Sequence, residues 1–123
     1  MAFDPVTLQH LEDALSEAFP YHAGLDAFVS RCGLSATQLK AARDRADAKN
    51  AGSRFDKAPK RFVAQMVIED LGNAGDAGDR VIAAMITGLT QLPLNGASAT
   101  AKEAIAALKA KIKTDQQVKA EQR

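Results

Sequence analysis

The chain has no tryptophan, one tyrosine and one cysteine in 123 residues, and aromatic residues make up only 5% of it. A lone thiol, Cys32, excludes an intramolecular disulfide, which fits a reducing compartment and leaves packing to hold the fold together. Two histidines and one cysteine, scattered in the chain, do not supply the four paired ligands of a structural zinc site. No stretch approaches the ~20 consecutive apolar residues of a membrane span. The opening MAFDPVTLQHLED lacks the basic start and apolar run of a secretory signal. These features predict a cytoplasmic protein with no membrane association and no cofactor.

What is abundant is alanine, 25 of the 57 hydrophobic residues, against 30 of the larger Leu, Val, Ile, Phe and Met. Alanine is the strongest helix former and lets helices approach closely, so the composition favours helices and a modest core. No run alternates apolar and polar residues over strand length, whereas apolar residues recur at helical spacing almost throughout. The fold class expected is all-α, a compact bundle of five to six helices with an extended polar C-terminal helix.

Six helices follow from the pattern. Asp4 as N-cap and Pro5 in the first turn open a helix to about Phe19, with a stripe of Leu8, Leu11, Leu15, Ala18 and Phe19. A second runs from His22 to Cys32 with Leu25, Phe28, Val29 and Cys32 inward. Gly33 is placed there as a left-handed terminator, with Leu34 as its hydrophobic contact. The third opens on the capping-box spacing Ser35–Gln38 and reaches Lys49, with a weak apolar face of Leu39, Ala42 and Ala46. Residues 50–58 read as a loop anchored by Phe55. The fourth, Pro59 to Leu71, is apolar around most of its circumference and is expected at the centre, packed by the first, second and fifth helices. GNAGDAG (Gly72 to Gly78) reads as a flexible connector and Asp79 to Leu92 as the fifth helix, in which Gly88 predicts a close helix crossing. After a turn from Pro93 to Ser98, Thr100 and Glu103 have capping-box spacing for the sixth helix, whose seam Ile105, Leu108, Ile112 stops at Asp115. The expected organisation is a helical core domain over 1–98, with 99–123 a C-terminal helix or a linker toward a further region.

Candidate catalytic groups each have a simpler reading. Cys32 shares an apolar face and behaves there as a small hydrophobe rather than a nucleophile. The glycines of GNAGDAG follow a helix, not a strand, and lack the lysine of a phosphate loop, while Asp76 and Asp79 would repel phosphate. The same segment lacks the ligand spacing and closing glutamate of a calcium loop. Glu69 and Asp70 are neighbours on a helix, do not face each other, and are expected to be solvated. The chain is therefore expected not to be an enzyme.

Charge is the strongest remaining signal. The net charge is only +1, yet residues 1–39 sum to −4, 40–61 to +5, 62–101 to −3 and 102–123 to +3. The basic segment holds Lys40, Arg43, Arg45, Lys49, Arg54, Lys57, Lys60 and Arg61, interrupted by Asp44, Asp47 and Asp56. It reads as a solvated face, as a surface for an acidic protein partner, or as a set of phosphate contacts to nucleic acid. Its candidate partner-binding residues are Arg43, Lys49, Arg54, Lys57, Lys60 and Arg61. Acidic helices 1 and 2 of one copy could also meet the basic surface of another, a heterologous contact that builds rings or filaments.

Leu11 to Val29, LEDALSEAFPYHAGLDAFV, resembles the opening of the effector-associated domains of bacterial conflict and defence proteins, through Ala18, Phe19, Pro20 and Leu25. The resemblance covers about 19 of 123 residues. It implies a helical, death-fold-like adaptor that pairs with a like domain on a partner, and it supplies no catalytic residue. The chain departs from the family's Asn-Pro ending and adds GNAGDAG and helix 6. Together these readings predict a non-catalytic protein–protein interaction domain for adaptor, recruitment or oligomerisation roles. It would be the N-terminal module of a larger bacterial protein, in the setting of phage defence. The alternative is a nucleic-acid-binding helical module using the basic segment 40–61.

Overall fold

Local capping chemistry sets where the first and third helices begin. In the computed structural model, which describes residues 3–19, 21–51, 58–92 and 97–121, with side chains of the last helix described as far as 112, there are six α-helices and no strand. They are α1 (Pro5–Glu17), α2 (His22–Arg31), α3 (Ala36–Lys49), α4 (Lys60–Gly72), α5 (Gly75–Thr90) and α6 (Ala99–Glu121). Asp4 accepts the Thr7 N–H at 2.6 Å as the N-cap of α1. Ser35 and Gln38 form the complete capping box of α3, each side chain accepting the other's backbone N–H, at 3.1 and 2.9 Å.

Gly33 ends α2 with φ 115°, in the left-handed region that favours glycine. Its N–H bonds to Ser30 O at 3.1 Å and that of Leu34 to Val29 O at 3.1 Å, the paired bonds of a Schellman motif, with Leu34 buried.

The Asp4 cap carries a pH signature. The hydrogen bond from Thr7, with a smaller contribution from Lys111 at 3.7 Å, holds its carboxyl below the ordinary aspartate value. A depressed native pKa contributes stability above the unfolded pKa and loses it as pH falls through the native value. The cap's contribution is therefore expected to vanish only below about pH 4. Asp4→Asn, which keeps the acceptor but does not titrate, should flatten that limb in melting curves taken from about pH 5 down to about pH 3.

The core is built by α1, α4, α5 and α6. α6 packs along α1 more extensively than any other described pair, and α4 and α5 complete the group. Leu11 and Leu15 of α1, Val63, Val67 and Leu71 of α4, Ile82, Met85 and Leu89 of α5, and Ile105 and Leu108 of α6 are all essentially buried. Phe28 of α2 reaches this core and packs against Phe19 with ring centroids 5.1 Å apart.

Several sequence expectations need correction. GNAGDAG is not a flexible connector: Asn73 and Ala74 turn the chain, and α5 begins at Gly75. The physical reason is Gly78, where a Cβ would lie 1.8 Å from the Leu71 carbonyl oxygen, so the α4–α5 corner closes only around a glycine. The partner that packs on α4 beside α1 and α5 is α3, not α2. Ala42 and Ala46, both 0% exposed, leave α3 thin enough on that side to lie against α4. α6 starts two residues before the expected box, because the Ser98 hydroxyl accepts the Ala101 N–H at 3.2 Å and takes the capping role from Thr100. The extended C-terminal helix expected from the sequence is present, with helical backbone to Glu121. Ala101, Ala104, Ile105 and Leu108 of α6 are buried with the core. The close approach expected at Gly88 is that of α2, through a side chain: a Cβ there would lie 2.9 Å from Phe28 Cε2. The anchoring expected of Phe55 lies outside the described residues.

Candidate functional site

Helical periodicity divides the basic residues of α3 between two sides. Arg43 and Asp47, four apart, face α2, where they line a shallow cleft with His22, Ala23 and Asp26. Arg43 forms an ion pair with Asp26, and its second nitrogen lies 3.3 Å from His22 Nδ1. Arg45 and Lys49, also four apart, face α4. Arg45 holds Glu69 at 2.7 Å and also pairs with Asp70. Lys49 Nζ donates to Gln65 Oε1 at 2.6 Å and sits 4.7 Å from the centre of the Phe62 ring, a cation–π distance.

The basic residues of α4 turn toward α1. Arg61 donates to Glu12 and Asp13, both at 2.9 Å, and Gln9 donates to the same two carboxylates. The hydrogen bond from Arg61 to Asp13, with the two negative charges, raises the guanidinium pKa against a smaller opposing effect of burial. For Arg45, desolvation pulls down, but Asp70 and Glu69 together raise the pKa. Lys60 Nζ donates to the Phe19 carbonyl oxygen just past α1, where a cation complements the helix's negative end.

Of the six candidate partner-binding residues, Arg43, Lys49, Lys60 and Arg61 are thus each held in a contact within the chain. Arg54 and Lys57 lie outside the described residues. Arg43 and Arg61 point to opposite flanks, toward α2 and α1, so the four do not converge on one point. The acidic partners Asp26, Glu12 and Asp13 escape a residue-by-residue search because each lies more than 15 positions away in sequence. Their only signal is the opposite sign of the blocks 1–39 and 40–61. Glu69 and Asp70, expected to be merely solvated, instead share one arginine.

Other chemistry is sparse. Among the described residues no group of three or more His, Cys, Asp or Glu side chains is placed to hold a metal ion, and no helix is long and apolar enough to cross a membrane. Cys32 is half-buried, and burial pushes its thiol pKa up, opposed by nearby Arg31. A raised thiol pKa lowers the thiolate fraction that a nucleophile needs. An apolar cleft lies between α1, α5 and α6, lined by Phe3, Ile86, Leu108 and Ile112 with Lys111 among its walls.

The fold and this surface define an all-α bundle with an interhelical charged network on its α3–α4 side. Comparison with protein-family models, with curated proteins and with solved structures finds no match.

Proposed function

We propose that the chain is a non-catalytic protein–protein interaction domain, of adaptor, recruitment or oligomerisation type, that uses the α3–α4 side. The observation that carries this reading is the internal pairing of the basic residues. Arg43, Arg45 and Arg61 already have carboxylate partners, and Lys40 has Asp44 at 2.9 Å. Phosphate binding gains its affinity by placing free cations on the backbone and releasing counterions. A surface whose arginines are internally neutralised gains little in that way. It does present fixed donors and acceptors of both signs, which suits shape-specific recognition of another protein.

The resemblance over Leu11–Val29 supports the adaptor form, in the cytoplasm and as the N-terminal module of a larger bacterial defence protein. In this chain Phe19 and Leu25 are core residues, so the shared letters account for packing and leave recognition to other positions. The reading is tested by titrating labelled duplex DNA and single-stranded RNA with the purified chain. No saturable binding is expected at about 150 mM salt. Micromolar binding with a steep salt slope would replace this reading with the nucleic-acid one. Light scattering across concentration tests the oligomerisation form. Assembly at low salt that Lys49→Glu with Lys60→Glu abolishes would place self-recognition on this surface.

A further inference from the structure

We propose that α3 is an electrostatic latch, a helix that detaches from the rest of the bundle as a unit when its ion pairs are screened or competed away. The inference is independent of the partner proposed above, because it concerns the isolated chain.

Three observations lead to it. First, α3 gives the core only small side chains: Ala42 and Ala46 are buried where it lies against α4, with Leu39 only partly covered. α2, though shorter, buries Leu25, Phe28 and Val29. Second, beyond that alanine contact, what holds α3 is polar. Arg43 grips Asp26 of α2 on one flank, while Arg45 grips Glu69 and Asp70 of α4 on the other. Lys49 closes the far end on Gln65 and Phe62. The Arg45–Glu69 pair is exposed, and the pairs to Asp26 and Asp70 are part-buried but open to solvent on one side, so each is individually modest and weakened by salt, the Arg45–Glu69 pair most. Third, α3 has local helical support of its own, five alanines, a complete capping box and an internal Lys40–Asp44 pair, so it can leave as a unit, although a free 14-residue helix is marginal and exchanges its amides faster than a packed one. Gly33, in its left-handed turn, supplies a pivot before it.

Opening has a defined consequence. The contacts to Phe62, Gln65, Glu69 and Asp70 mark the side of α4 that α3 covers. Met66, one turn beyond Phe62, lies between those contact points on the same side. Release of α3 therefore uncovers a stripe with Phe62 and Met66 at its centre and carboxylates at one end, while the four-helix core stays closed. Local opening of this kind draws on the least apolar element of a fold.

Hydrogen-exchange mass spectrometry on the full chain, without any partner, tests the latch. Raising NaCl from about 0.05 to about 1 M is expected to reduce the protection of α3 amides about tenfold while α5 amides change less than about twofold. Arg43→Gln with Arg45→Gln should reproduce the high-salt pattern at low salt, with the protection of α5 reporting that the variant is folded. If α3 and α5 amides lose protection in parallel, or if α3 keeps its protection at high salt in the unmutated chain, the latch is wrong. The salt series on the natural sequence decides the question even should the double variant fail to fold.

Discussion

Gly78→Ala is expected to destabilise the chain by about 3 kcal/mol or more, the largest effect of any single methyl group in this fold. An added Cβ would overlap the Leu71 carbonyl oxygen at 1.8 Å and approach its carbon at 2.7 Å. Neither is the end of a flexible side chain. Both belong to the last turn of α4, so relief requires α4 and α5 to separate at their corner, pulling Leu71 and Ile82 out of register in the core. In a thermal melt the loss corresponds to roughly 10 °C for a domain of this size. Gly75 is the control. Its φ of 65° strains any residue with a Cβ, but nothing lies within 4 Å of the added carbon. Gly75→Ala should therefore cost about 1 kcal/mol, from backbone conformation alone. Equal losses at the two positions would show that the corner yields and that close approach is not what Gly78 provides.

Phe28→Ala is expected to cost about 3–5 kcal/mol, the usual range for removing a buried phenylalanine. The ring is 3% exposed and makes two separate attachments, to the Phe19 ring after α1 and to the bare backbone of Gly88 on α5. With Leu25 and Val29 it ties α2 to the four-helix core. A paired experiment isolates the second attachment. Gly88→Ala alone should destabilise by about 1–3 kcal/mol, because its Cβ would fall 2.9 and 3.0 Å from two ring carbons. In a Phe28→Leu background the clash is relieved, and the same substitution should become neutral or stabilising through its helix propensity, worth about 1 kcal/mol. Denaturant unfolding of the four variants gives the coupling directly. Additive losses would refute the contact.

The helical class, the buried stripes and most helix starts are legible in the sequence because they depend on neighbours within a few positions. Asp4 and Pro5, the Ser35–Gln38 box and the Gly33–Leu34 terminator act over three to five residues, and the 3.6-residue recurrence of Leu11, Leu15, Val63, Val67, Ile82 and Ile86 is a local pattern. Where a nearer competitor exists, the local reading slips, as when Ser98 takes the cap expected of Thr100. GNAGDAG misleads for a different reason. Glycine marks both loose connectors and tight corners, and the difference lies in whether another segment's backbone stands where a Cβ would be. For Gly78 that segment is the end of α4, which only the folded corner brings into place.

The candidate site divides in the same way. Composition placed the basic residues in 40–61 and the acidic ones in 1–39, because charge blocks can be counted along a chain. Their pairing was decided by tertiary structure, which sets Asp26 against Arg43, Glu12 and Asp13 against Arg61, and Glu69 and Asp70 against Arg45. Coulomb attraction depends on distance in space, and residues 17 to 49 positions apart come within a few ångströms only after the helices have packed. The sequence by itself therefore determined an alanine-rich helical bundle with segregated charge. Tertiary structure alone decided which charges of opposite sign meet within the chain.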